Sequence, residues 1–259
     1  MTRSAIQLYT LRDVDRPLPE LLELVADAGF DGVEFAYRVT EADTDAVVEA
    51  LEETGLAAAG AHVGIDELEV DFEETVDFYD WLGVDDIVIP SLPQEDFESR
   101  EAVEATADRL SDLADRLADR GKTLHYHNHD HEFVDLNGET PVAAEPSRGD
   151  AVGDADLGFD AFVDATDIGI QLDLGLALYA GDDVVARLRS LGERSRLVHL
   201  KDYDVEAGES VPVGEGDLDL DRIAAAVDEN DSDWLIYEYE GEDPLATLER
   251  AAERTNQRC

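Results

Sequence analysis

The sequence predicts a single (β/α)8 barrel of the α/β class. Eight short apolar runs alternate strictly with eight segments of helical periodicity, which implies a parallel sheet covered by helices. The 259 residues divide into repeats averaging about 32, the length of one strand–helix unit in a closed barrel. The alternative, a doubly wound open sheet, usually carries a glycine-rich phosphate loop after its first strand. Here that strand runs into LYTLRDVDR, which has no glycine.

Taken in order, Ser4–Thr10 (SAIQLYT) reads as the first strand. Pro19–Ala28 repeats Leu21, Leu22, Leu24 and Val25 at helical spacing, and Gly29 marks the helix end. Asp31–Phe35 is the second strand, Glu41–Thr54 a helix closed by Gly55, and Ala57–His62 a weak third strand. Phe72–Trp81 is helical and Asp86–Pro90 a buried fourth strand. The longest helix, Ser99–Arg120, lines Leu110, Leu113 and Leu117 along one stripe and ends at Gly121. Thr123–Asn128, Ile168–Asp173, Leu197–Leu200 and Trp234–Glu238 are strands five to eight. Phe159–Ala165, Asp182–Leu191, Leu220–Val227 and Pro244–Arg254 are the remaining helices. The whole of 1–259 reads as one domain, interrupted by an aperiodic acidic loop near 138–158.

Charge narrows the setting. Lys plus Arg number 19 and Asp plus Glu 65, a net charge of -46. On a folded surface of roughly 11,000 Å² this is about one excess negative charge per 240 Å², a spacing near 15 Å. The Debye length is ~10 Å at 0.1 M salt and ~3 Å at 1 M, so molar salt would remove a repulsion that dilute buffer leaves in place. The expectation is a cytoplasmic protein of a cell with molar internal salt, a halophile. No basic stripe exists to neutralise phosphates, which speaks against a nucleic-acid partner. No apolar run reaches the roughly 18 residues of a membrane span, and the start MTRSAIQLYT lacks the apolar core of a signal peptide. The one cysteine, Cys259, excludes a disulfide framework and a cysteine-ligated zinc site.

The active face of such a barrel lies at the C-terminal ends of the strands, so the informative residues are polar ones that end a strand. All six histidines, His62, His125, His127, His129, His131 and His199, lie in or just after a predicted strand. Alternation puts His125, His127 and His129 on one face of strand five and Tyr126 and Asn128 on the other. Asp173 follows the apolar IGIQL, where a carboxylate is costly unless paired or bound to a metal. His199 and Glu238 end strands seven and eight in the same way. Imidazoles and carboxylates without thiolate suit Mn²⁺, Co²⁺, Zn²⁺ or Mg²⁺ in an open site.

The segments IQLYTLRD, GFDGVEF, LHYHNHDHEF, QLDLG, VHLKD and IYEYEGEDP, in that order, resemble the xylose-isomerase-like barrels called the sugar phosphate isomerase/epimerase family. The resemblance implies one divalent metal held at the ends of strands five to eight, usually by Glu, Asp, His and Glu. Carried over, Asp173, His199 and Glu238 are ligands. Strand five departs: His127 stands where many members have glutamate, and Glu132 follows five residues later. The fourth ligand is one of these two, with Glu132 favoured because it keeps the charge of the usual set. The HNHDHEF run resembles the subgroup containing inosose dehydratase.

The implied activity is a metal-dependent isomerase or epimerase of a sugar, sugar phosphate or polyol, working by proton abstraction beside a carbonyl through an enediolate that the metal stabilises. Glu238 or Glu132 would take the proton, and His127, His129 or His62 would supply one or orient a hydroxyl. Lys201 would offset enediolate charge, or be a solvated rim lysine. Glu34 would bond a substrate hydroxyl, or pair with Arg38. Trp81 and Trp234 are expected to pack the helix–barrel layer or strand eight. The rivals are a dehydratase or lyase on a keto-sugar or inosose, an endonuclease-IV-like hydrolase and a non-catalytic sugar-binding barrel. A homo-oligomer stays open.

Overall fold

A computed structural model describes residues 1–36, 38–137 and 156–259. Eight strands close a barrel: β1 (Arg3–Gln7), β2 (Gly32–Phe35), β3 (Ala57–His62), β4 (Asp86–Ile89), β5 (Thr123–His127), β6 (Gly169–Asp173), β7 (Leu197–Leu200) and β10 (Trp234–Tyr237). Each pairs in parallel with its sequence neighbour, and β1 closes on β10 with Ala5 opposite Ile236. The predicted fold class is therefore the observed one. The acidic loop expected near 138–158 lies outside the described residues except for 156–158.

The outer layer is built from α1 (Leu18–Ala28), α2 (Thr44–Thr54), α3 (Ile65–Val70), α4 (Phe72–Trp81), α5 (Arg100–Ala118), α6 (Gly158–Ala165), α7 (Leu174–Tyr179), α8 (Val184–Leu191), α9 (Leu220–Glu229) and α10 (Pro244–Asn256). Their ends follow ordinary capping chemistry. Ser99 accepts the Ala102 N–H at the start of α5, and Gly29 takes the left-handed conformation (φ 100°) that ends α1. The apolar stripe of α5, Val103, Ala107, Leu110, Leu113 and Leu117, is buried on the barrel. No helix among the described residues is long and apolar enough to cross a membrane.

Several elements differ from the expectation. The first strand stops at Gln7 because its side-chain oxygen accepts the Tyr9 N–H and turns Leu8–Leu11 into a 3-10 helix. Helices α3 and α7, and the hairpin of β8 (Tyr203–Asp204) with β9 (Glu209–Ser210), fill stretches that show no periodicity of their own. Trp81 does not pack the helix–barrel layer: it is 63% exposed, because α4 buries Phe72, Val76 and Tyr79 and residue 81 falls off that stripe. Trp234 is buried inside the barrel, beneath Ile236 on the same strand face, among Ala5, Ala59, Val88 and Leu197. Gly32 makes room for it: a Cβ there would lie 2.7 Å from the indole. The Arg3 guanidinium covers the same ring, 3.8 Å from its centroid.

Above this apolar layer the inward positions turn polar. Strands β1, β2, β3, β5, β6 and β7 raise Gln7, Glu34, His62, His127, Gln171 and His199 toward the C-terminal mouth. Asp173 closes β6, and Lys201 and Glu238 come just beyond the ends of β7 and β10.

Candidate active site

Four side chains from four adjacent strand ends converge: His127, Asp173, His199 and Glu238, with one ligating atom each and all of these atoms within 4.8 Å of one another. All four are buried. His199 Nδ1–H donates to Glu238 Oε2 at 2.9 Å, and Nε2–H donates to Glu34 Oε2 at 2.6 Å. Burial opposes a charge on this ring, but the two carboxylates outweigh it and raise the imidazolium pKa to about 10. Glu238 is held well below the usual range: burial works against ionisation, and the charges of Lys201 and His199 overcome it. Asp173 is pushed up, first by burial and then by Glu238, with Lys201 opposing. His127 is pushed well down by burial and by the neighbouring imidazoles, so it is neutral at ordinary pH.

Lys201 is not a rim lysine. It is 3% exposed, with Nζ 3.6 Å from Glu238 and 3.7 Å from Asp173, and it donates to Glu240. Burial penalises its charge, but the three carboxylates hold it protonated. The next residue, the buried Asp202, gathers the backbone N–H groups of Tyr203, Gly214, Gly216 and Leu218, which ties the segment 211–218 to the end of β7.

Glu34 does not pair with Arg38. Its carboxylate is fully buried and accepts from Gln7, Gln171 and His199, with His62 Nε2 at 3.3 Å. Arg38 turns outward and donates to the carbonyls of Val14 and Arg16. Burial would raise the pKa of Glu34, but His62 and His199 lower it below its ordinary value.

Glu132 is not among the four converging side chains; His127 stands at the strand-five place. Glu132 is fully buried behind the strand, where Oε1 accepts the Tyr126 hydroxyl at 2.5 Å and Oε2 the His129 N–H at 2.7 Å. One oxygen is engaged by a residue on the outward face of β5 and the other by the backbone just past the strand end, so they do not also reach the mouth. Burial raises its pKa. His129 stacks edge-on against His127, its ring centroid 5.3 Å away, and burial with His131 lowers its pKa to about 4. His125 shares the inward face but sits two residues lower. It bonds Asp86 at 2.8 Å, in space that a side chain at Gly169 would occupy. His131 donates to the Leu92 carbonyl. His62 is half-buried, 2.8 Å from Gln171 Oε1. Gln171 itself was missed in the sequence reading, although its signal was present: a polar residue within an apolar run, two before Asp173 and so on the same face.

The donor set fits a divalent cation. Two imidazoles and two carboxylates without thiolate form a borderline-to-hard site. Asp173 Oδ2 is buried with no hydrogen-bond partner, and His127 Nε2 stands 3.8 Å from it. Ligands about 2.0–2.2 Å from a tetrahedral ion lie roughly 3.4 Å apart, close to this spacing. Lys201 Nζ lies 3.7 Å from the same oxygen, too far for a hydrogen bond, so an ion between the carboxylate and the neutral imidazole would give that oxygen its missing partner.

Fold and site together define a (β/α)8 barrel with a buried imidazole–carboxylate cluster at its mouth. The chain belongs to the xylose isomerase-like TIM barrel family, whose model matches residues 22–258. No curated protein is significantly similar in sequence. Solved structures share the fold at low identity. A sugar phosphate isomerase/epimerase from Parabacteroides distasonis is 21% identical over 98% of this chain and 93% of its own, with a TM-score of 0.76. The probable 3-DHS dehydratase of petrobactin synthesis from Bacillus anthracis is 14% identical over 98% of both chains, with a TM-score of 0.73. A D-allulose 3-epimerase from Methylomonas sp. is 18% identical over 100% and 98%, with a TM-score of 0.68.

Proposed function

We propose that this protein is a divalent-metal-dependent isomerase or epimerase of a small sugar or polyol. One observation carries the reading: four buried donors meet at the barrel mouth, and one of them, Asp173 Oδ2, is without a hydrogen-bond partner. His127, Asp173, His199 and Glu238 would hold the ion, with His199 giving up one of its two ring protons as the ion binds. When bound, it supplies Lewis-acid polarisation of a carbonyl and an adjacent hydroxyl. Glu238, kept ionised by Lys201 and His199, takes the proton from the carbon beside that carbonyl. Lys201 presents its ammonium to the oxygen on which negative charge develops. His129 and His62 orient hydroxyls at the rim. A net charge of -46 supports a small-molecule substrate over nucleic acid.

The dehydratase reading is favoured by one specific feature. Strand five brings a neutral imidazole, His127, where a second carboxylate would serve a two-base epimerisation. A single base at Glu238 beside the fixed positive charge of Lys201 suits isomerisation or loss of water.

The test is metal-stripped protein, reloaded with Mn²⁺, assayed against ketoses, inosose and 3-keto sugars by product NMR. The proposal expects turnover only in the reloaded sample. An isomer as product supports isomerase or epimerase, and an unsaturated product assigns the dehydratase reading. Equal turnover in the stripped sample would overturn metal dependence.

A further inference from the structure

We propose that Gln171 is a positioning residue whose side-chain amide fixes His127 with its proton on Nδ1, leaving the Nε2 lone pair aimed at Asp173. A chain of hydrogen bonds, each with only one allowed direction, leads to this. The Tyr9 backbone N–H can only donate, and Gln7 Oε1 accepts it at 3.2 Å. The other end of that amide is therefore Nε2, which donates to Glu34 Oε2 at 2.6 Å. Glu34 Oε1 then faces the amide of Gln171, which presents Nε2 to it. The reversed amide would set an oxygen against a carboxylate oxygen, two acceptors with no proton between them.

Gln171 Oε1 is thereby turned toward two rings, His62 Nε2 at 2.8 Å and His127 Nδ1 at 3.1 Å. A carbonyl oxygen accepts two hydrogen bonds and donates none, so both ring nitrogens carry protons. A neutral imidazole has one N–H. His127 Nε2 is consequently bare, and it is the nitrogen 3.8 Å from the unpartnered Asp173 Oδ2. Gln171 and Asp173 are two residues apart on the inward face of β6. One strand thus supplies a ligand and also the group that orients the ligand on its neighbour.

The role in ion binding rests on the metal reading above; the tautomer does not. The experiment is a long-range ¹H–¹⁵N spectrum of the metal-free, ¹⁵N-labelled protein near pH 8 in molar KCl, with His127 assigned by comparison with His127→Gln. The expected result is a protonated Nδ1 and an unprotonated Nε2. A proton on Nε2 in the wild type overturns the proposal, whatever any variant does. Gln171→Leu, similar in volume but without the acceptor, should show a mixed or reversed tautomer. Its Mn²⁺ affinity, measured by calorimetry, should fall roughly 10–100-fold with an unchanged far-ultraviolet circular dichroism spectrum. An unaltered tautomer and affinity in Gln171→Leu would likewise overturn it. The expected tautomer in a wild-type protein that binds no Mn²⁺, Zn²⁺ or Co²⁺ would uphold the wiring and sink the metal reading alone.

Discussion

Replacing Tyr126 with Phe removes one hydroxyl from a ring that otherwise keeps its neighbours. The ring packs against Phe162 and Phe97, with centroids 5.2 and 5.7 Å away, and these contacts survive the change. What is lost is the 2.5 Å bond to Glu132 Oε1, a fully buried carboxyl oxygen. A hydrogen bond to a charged group contributes about 1.5–3 kcal/mol. In a chain of this size each kcal/mol moves the melting temperature by about 2–4 °C, so the expected fall is roughly 3–12 °C. The assay is thermal melting at one fixed molar KCl concentration, with divalent-ion content measured on the same samples. Stability should fall while ion content stays at about one per chain, because Glu132 braces β5 from behind and does not reach the ion. Loss of the ion with a melting temperature unchanged within about 1 °C would refute this and return Glu132 to the ligand set.

Three further outcomes are expected. Asp173 Oδ1 caps α7 by accepting the Leu176 N–H at 2.8 Å, and Asp173→Asn keeps that acceptor. The variant should retain its circular dichroism but lose the ion, and a full complement of ion in it would sink the assignment. A Cβ at Gly175 would collide with the carbonyl oxygen of Lys201; Gly175→Ala should cost about 1–3 kcal/mol in urea unfolding and displace Lys201 enough to slow turnover, whereas wild-type values for both would show that the approach is not close. Over a KCl series at fixed pH, the melting temperature should rise with most of the gain below ~1 M, where screening saturates. A flat profile from about 0.05 to 2 M would remove the reading of the acidity as salt adaptation.

The barrel was legible because burial on both strand faces leaves short, nearly continuous apolar runs, and a run such as Ile87–Ile89 needs no context to be read. Asp173, His199 and Glu238 were legible because a polar residue closing such a run has to be explained. Alternation gives the face of a side chain and not its height. His125 and His127 share a face, yet one bonds Asp86 low in the barrel and the other meets Asp173 at the mouth. Charge similarity favoured Glu132 over His127, and it could not show that the turn at 131–133 carries that carboxylate behind the strand to Tyr126. Gln171 and Asp202 were passed over because their partners are amides and backbone N–H groups far away in sequence, which no local pattern records.

The indole of Trp234, ringed by Ala5, Ala59, Val88 and Leu197 and covered by Arg3, fills the N-terminal end of the barrel. Among the described residues, the way to the site from that end is filled. A substrate would then come from the C-terminal side of the strands, past Glu240 and His129, and leave the same way. Traffic through one opening is sequential: an ion held by His127 and Asp173, as proposed, would have to arrive before a substrate that lies above it. While substrate occupied the mouth, such an ion would have no way out. Ion exchange and turnover would then compete for the same passage, and added substrate should slow the escape of the ion to a chelator.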